Sequence, residues 1–261
     1  MPERSAAVSE ASAAPRPTAT TSLGTVLFRF RSFTPVPVIA LVGWLLWRSR
    51  GAVGPGGPAV DAWLNALGVA VAAAGQALRF YTLSLVREGS SGQGAVLVST
   101  HLNTQGPYAR VRNPLYVGNL GICLGLLLIA HDPWAYAVGL GFFFGEYHFI
   151  IRAEERFLLE RHGDAYRDFL AKVPRWVPRL TPAYPGKLND RFDWRRGLKK
   201  EHNPFAAWAS GAVALLGWEL GARGQLSTGW LACLAAAEIS VLVAFALIKA
   251  YKRGRLFRAR V

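Results

Sequence analysis

Two groups of polar side chains in an otherwise apolar chain have the types and spacing to do chemistry. The first is Gly106 to Gly118, GPYARVRNPLYVG, and the second is Arg152 to Arg179, RAEERFLLERHGDAYRDFLAKVPRWVPR. In the first, Gly106-Pro107-Tyr108 reads as a turn, and Arg112-Asn113-Pro114 halts the chain before a helix, with Asn113 as N-cap and Pro114 in the first helical turn. A helix start offers free N–H groups, which favour an anion such as a carboxylate, and Arg112 adds fixed positive charge. The same residues also suit a capped helix behind a basic loop.

In the second group, Glu154 and Glu155 are adjacent carboxylates directly after an apolar run. Near a membrane such a pair is costly unless it is matched by a cation. The cation is an ammonium or sulfonium of a cofactor or substrate, or a neighbour among Arg152, Arg156 and Arg161. Inside the apolar run, Glu146 and His148 are candidate proton acceptors, because an ionisable residue within a span is a functional hypothesis by default; an internal pair holding helices together is the alternative. Helical spacing places Glu146, Ile150 and Glu154 on one face and His148, Arg152 and Glu155 on another, so Arg152 is a candidate anion clamp.

The elements that must position these groups are helices in a membrane. The chain has 261 residues, is 52% hydrophobic and carries a net charge of +14. We expect an all-α, polytopic transmembrane bundle of about six spans with loops able to hold a cofactor. The spans are roughly Pro35 to Trp47, Val60 to Leu83, Leu115 to Ala130, Trp134 to Ile151, Pro204 to Gly221 and Gly229 to Ile248. The turn His131-Asp132-Pro133 folds the third span back on the fourth, so both polar groups reach one membrane face. A short amphipathic helix should follow His162, then a proline-limited extended stretch, with Phe157, Leu158, Tyr166, Phe169, Trp176 and Val177 able to dock at the interface. Residues 1–22 read as a disordered tail, 23–203 as the core, with its motifs at 93–118 and 152–179, and 204–261 as a C-terminal two-span hairpin with a basic end.

Arg29, Arg31, Arg87, Arg110, Arg112, the segment 152–203 and the run Lys249, Lys252, Arg253, Arg255, Arg258 and Arg260 fall on one side of six spans, against Arg48, Arg50 and Arg223 on the other. The excess marks the cytoplasmic side, so both termini and the motif face should be cytoplasmic and meet anionic lipid headgroups. The charges flank apolar spans and form no soluble basic domain, which argues against nucleic acid. Cys123 and Cys233 lie inside apolar runs, and a lone His is no metal site, so no metal is expected. Gly139-Leu140-Gly141 lacks the strand that a dinucleotide fingerprint needs. Gly121/Gly125, Gly141/Gly145 and Gly217/Gly221 have the spacing of close helix contacts, within the chain or in a homodimer.

Residues 76–180 resemble the isoprenylcysteine carboxyl methyltransferase family and its phospholipid-methyltransferase-like relatives, through GPYxxxRNPxYxG, then EExxL, then GxxYxxFxxxVPRxxP. The resemblance implies a multi-span enzyme using S-adenosyl-L-methionine. It implies that the cofactor meets Thr100, His101, Leu102, Asn103, Tyr108, Asn113, Pro114, Leu115, Tyr116 and a carboxylate of the pair, Glu154 foremost, with Gln93 near another contact. Two departures stand out. Asn113 replaces the usual His and cannot become cationic, and Ile150 occupies the place of an arginine found in eukaryotic members, which leaves Arg152 as the nearest substitute. The expected function is methyl transfer to a membrane lipid or lipidated substrate, on a carboxylate oxygen or an amine nitrogen. The alternatives are an NADPH-dependent sterol-type reductase, which shares the GxxYxxYxxxVP-like pattern, and a catalytically silent lipid-binding membrane protein.

Overall fold

The computed structural model describes residues 23–49, 57–86, 99–184 and 192–254; the tail 1–22, Gln93, Arg50, Arg87, Arg255, Arg258 and Arg260 lie outside the described residues. Among the described residues there are helices and no strands. The helices are α1 (Leu23–Phe30), α2 (Pro35–Ser49), α3 (Gly57–Leu85), α4 (Pro114–Ala130), α5 (Pro133–His162), α6 (Asp164–Lys172), α7 (Trp194–Ala222) and α8 (Thr228–Lys252), with a single 3₁₀ turn at Gly106–Ala109.

Each expected span is a helix, but length and hydropathy alone mark fewer as able to cross a bilayer. Among the described residues α3, α7 and α8 qualify, and a fourth counts if α1 and α2, which meet at 72°, form one broken span. The short α4 is apolar apart from Tyr116 and Asn119, and α5 dilutes its apolar stretch with Glu146, His148 and the charges after Ile151. The outward faces are those of an integral membrane protein. Trp47, Trp63, Ile39 and Ile239 are exposed, and α8 buries none of its residues inside the chain. Such surfaces are stable against lipid tails, where apolar side chains meet their like.

The central contact joins α3 to α4, and small residues make it possible. A Cβ on Gly75 would stand 2.5 Å from the Gly118 carbonyl oxygen and 2.9 Å from the Ile122 nitrogen, and one on Gly68 would stand 2.6 Å from the Gly125 oxygen. No side chain larger than hydrogen fits there, so the two backbones touch and gain dispersion contacts that lipid cannot replace. Gly121 and Gly125 therefore serve packing within the chain, whereas Gly141 and Gly145 have nothing within 4 Å.

α7 packs against α3, α4 and α8, while α1 and α2 pack chiefly on α5. α7 begins at Trp194, earlier than the fifth span expected from Pro204, and Pro204 lies inside it. The Asp193 side chain accepts a hydrogen bond from the Arg196 N–H at 3.1 Å and starts the helix, while Gly197 lets it lie against Phe80 and Ser84. The expected boundary at residue 203 thus falls within one continuous helix. Between α4 and α5, His131 takes a left-handed conformation at φ 55°, and Asp132 Oδ1 accepts from the Ala135 N–H at 2.9 Å. This turn folds α5 back along α4 and brings both polar motifs to the same end of the bundle.

Candidate functional site

The two motifs are fastened to one another by backbone hydrogen bonds. The Arg112 N–H donates to the Pro174 carbonyl at 2.8 Å, the Arg179 N–H to Arg110 at 2.9 Å and the Ala183 N–H to Ala109 at 2.7 Å. Arg112 Nε donates to the Val173 carbonyl at 2.6 Å. Arg112 Nη1 and the Arg175 guanidinium then share Glu155, at 2.9 Å and 2.5 Å. The proline-limited stretch is thus an extended strap over the loop of the first motif. Glu155 has neighbouring arginines as its partners, one of the two readings of the acidic pair.

α6 holds the strap from below. Tyr166 and Phe169 are buried, with Val173, against Leu102, Leu158 and Leu159, and Trp176 packs on Phe143 and Phe144. These aromatics pack within the protein instead of docking at the interface, whereas Val177 at 76% and Leu180 at 94% exposure face outward. Asp168, on the open side of α6, binds Lys172 and Tyr184; those two hydrogen bonds hold its carboxyl below the usual range.

Beside the tethered motifs lies a cavity of about 390 Å³, within the roughly 300–1,000 Å³ of small-molecule sites. From the expected set it gathers His101, Leu102, Asn103, Tyr108, Arg112, Asn113, Leu115, Tyr116 and Glu154. The loop before the 3₁₀ turn reaches it because Ser99 is tied to the end of α5: Ser99 Oγ is 2.8 Å from His162 Nε2, and Arg161 Nε is 3.4 Å from the Ser99 carbonyl. Glu154 is the one carboxylate among the lining residues and is hydrogen-bonded by the Tyr116 hydroxyl. Burial, and next the Glu154 charge, push the Tyr108 hydroxyl well above the ordinary phenol range, so it stays a neutral donor. Asn113 occupies the N-cap position of α4, yet its side chain makes no capping bond and reaches instead to the Arg175 carbonyl at 3.5 Å.

Other expected residues fall outside the lining. Thr100 is exposed, Pro114 is buried as the first residue of α4, and Glu155 sits behind Arg112. Glu146 is buried, and the Thr34 hydroxyl donates to it from the turn before α2. His148 is exposed, with its ring edge-on to Phe149, and Arg152 is exposed as well.

The cavity also has residues that the motifs do not announce. Arg31 and Ser32 come from the break between α1 and α2, Arg79 from α3, Asn119 from α4, and Lys200, Asn203 and Pro204 from α7. Arg79 anchors a buried network. Its Nε and Nη2 donate to Glu201 at 2.8 and 2.7 Å, and Nη1 donates to Asn119 Oδ1. Gln76 Nε2 donates to Glu201 at 2.7 Å and Gln76 Oε1 accepts from Trp208 Nε1 at 3.0 Å, while Asn119 Nδ2 donates to the Tyr147 hydroxyl at 2.6 Å. The sequence carried a signal for Arg79, since it is an ionisable residue inside a span just as Glu146 is.

The profile of the phospholipid methyltransferase family matches residues 63–165, which hold most of α3, all of α4, the first motif and the glutamate pair. The chain is also similar to the nickel-cobalt-cadmium resistance protein NccN of Alcaligenes xylosoxydans xylosoxydans, with 35% identity over 83 residues. That match takes in 32% of this chain and 38% of the relative, so it spans well under half of either protein. No solved structure matches. The helices and loops that build the cavity floor and carry Glu154 lie within the matched residues 63–165, a stretch that is under half of the chain.

Proposed function

We propose that this protein is a membrane methyltransferase that uses S-adenosyl-L-methionine to methylate a lipid-like acceptor. The carrying observation is that two motifs, separated by a helical hairpin, meet in one cavity whose lining holds a single carboxylate, Glu154. The lining suits this cofactor's charges. Glu154 would pair with its ammonium, while Arg112 and the N–H groups at the start of α4, uncapped by the Asn113 side chain, would hold its carboxylate. Tyr108 and Tyr116 offer aromatic faces to adenine or to the sulfonium. When bound, the cofactor supplies an electrophilic methyl group.

The protein's part is to align acceptor and cofactor in the cavity and to exclude water from it. Asn113 stands where relatives place His and keeps a hydrogen-bonding amide without the option of positive charge. The reading assigns no proton-accepting role to Glu146 or His148 and no clamp role to Arg152, since none of them lines the cavity. A carboxylate acceptor would need no base. The cavity lies at the bundle end where Arg29, Arg31, Arg112, Lys249 and Lys252 collect, and the positive-inside rule makes that end cytoplasmic.

Calorimetry with S-adenosylhomocysteine on the purified protein in nanodiscs tests the reading. The wild type should bind, and Glu154→Gln should bind about tenfold more weakly or worse, because the ammonium loses a charge-assisted partner. Equal affinity in the variant would reject the pairing. Binding of NADPH in place of the nucleoside would transfer the assignment to a reductase.

A further inference from the structure

The last helix is held to the bundle by α7, and it buries none of its own residues. At its cytoplasmic end the two helices gather cations. Helical spacing sets Arg195, Lys199 and His202 on one face of α7 and Phe245, Lys249 and Lys252 on one face of α8. The two faces meet. The His202 ring stacks on Phe245 at 5.6 Å, Lys199 Nζ lies 5.3 Å from the centre of the Tyr251 ring, and Lys249 Nζ lies 5.2 Å from that of Phe245. Lys249 and Lys252 act electrostatically on His202 across the contact.

Three ammonium groups thus converge on one aromatic patch. Ring faces attract cations but do not neutralise them. Among the described residues no carboxylate forms an ion pair with Lys199, Lys249 or Lys252. Glu201, next to His202, is taken by Arg79 at 2.7 Å, and Asp193 lies with Arg196 at 3.7 Å. Like charges brought together in this way repel one another and raise the local concentration of anions. The depth is that of lipid headgroups. α8 carries no cation from Thr228 to Ile248, so Lys249 opens its polar end. Trp194, half exposed, and Tyr251 flank the cluster with the ring types that settle at a membrane–water boundary.

We propose that Lys199, Lys249 and Lys252 bind the phosphate of an anionic membrane lipid, which bridges α8 to α7. Each ammonium offers three rotatable N–H donors to the phosphate oxygens. The source is a lipid because an apolar surface continues from the site into the hydrocarbon: Leu242, Val243 and Leu247 of α8 are exposed and give acyl chains a face to lie on. None of the three lysines lines the cavity, so the site does not depend on the methyltransferase reading.

The test is native mass spectrometry of the full-length protein in an uncharged detergent, titrated with dioleoylphosphatidylglycerol, dioleoylphosphatidylcholine or inorganic phosphate. One phosphatidylglycerol should be retained about tenfold more tightly than the choline lipid and should raise the melting temperature. Lys199→Gln with Lys249→Gln and Lys252→Gln should abolish both effects, and the same three changes to Arg should keep them. Arg152→Gln with Arg156→Gln and Arg167→Gln removes equal charge from exposed positions elsewhere at that end of the bundle and should leave both effects intact. Lys252→Gln alone, at an exposed position, should weaken retention in part even if the triple Gln variant melts early. Equal retention of the two lipids, equal losses in the two triple Gln variants, or displacement of the lipid by excess inorganic phosphate would overturn the proposal.

Discussion

Two buried polar networks lie at opposite ends of the same helices. Near the motifs, Gln76, Arg79, Asn119, Tyr147 and Glu201 join α3, α4, α5 and α7, and Arg79 and Asn119 open onto the cavity. At the far end, Arg223 bonds to Asp61 and, at 2.9 Å, to Glu219; Asn65 donates to Glu219 at 2.7 Å, and His131 sits 3.0 Å from Asn65. Both networks place charges in a low-dielectric interior and match them, as such charges must be. The far network closes on its own partners and ties the α4–α5 turn to α3 and α7. The near one presents part of itself to a space large enough for a ligand. Pairing alone therefore does not separate the two networks; the cavity beside the near one does.

The largest effect should come from breaking the near network. Arg79→Met leaves Glu201 buried without its counter-charge and should cost about 3–5 kcal/mol, with loss of nucleoside binding. Adding Glu201→Leu should return most of the stability but not the binding, as melting and calorimetry on both variants would reveal. If binding returned with stability, the near network would be as purely structural as the far one.

At the far end, Asp61→Asn should cost less, about 1–3 kcal/mol, because Arg223 keeps Glu219. Nucleoside affinity of the folded protein should not change, and a fall in it would show that the two ends are coupled. Between the ends, Gly75→Ala sets a methyl group against the α4 backbone and should cost about 1–3 kcal/mol, whereas Gly141→Ala meets open space and should be neutral or stabilising by up to about 1 kcal/mol. Similar melting shifts for these two would refute the backbone contact between α3 and α4.

The smallest effect concerns Asp168, outside both networks. Its carboxyl is held below the ordinary value in the folded protein, so its contribution is present above the unfolded value of 3.8 and is lost as pH falls through the lower folded value. Asp168→Asn should lower the melting temperature slightly at neutral pH, and the gap from the wild type should close in acid. A gap independent of pH would remove the charge from the explanation.

The helical hairpin, the strap and the motif side of the cavity wall were legible because each has a local cause. Pro114 after Asn113 starts a helix, Asp132-Pro133 starts the next, and proline limits the strap at Pro174 and Pro178. The start of α7 was harder to see. Its first turns are polar and read as a basic loop, and only Arg79 on α3 gives Glu201 a reason to be helical and buried there.

The sequence by itself determined that the chain is helical and membrane-embedded, and that the loop at Tyr108 and the helix end at Glu154 reach the same end of the bundle, because periodicity, turn residues and ordered motifs act over short separations. Which acid of the pair faces the cavity was decided by tertiary structure, where Arg112 and Arg175 take Glu155 and leave Glu154 to Tyr116. Tertiary structure also left Glu146 and His148 out of the lining and brought in Arg31, Arg79 and Lys200 from three separate helical regions. The physical reason is that a buried charge goes where a partner meets it, and partners distant along the chain meet only when the helices pack.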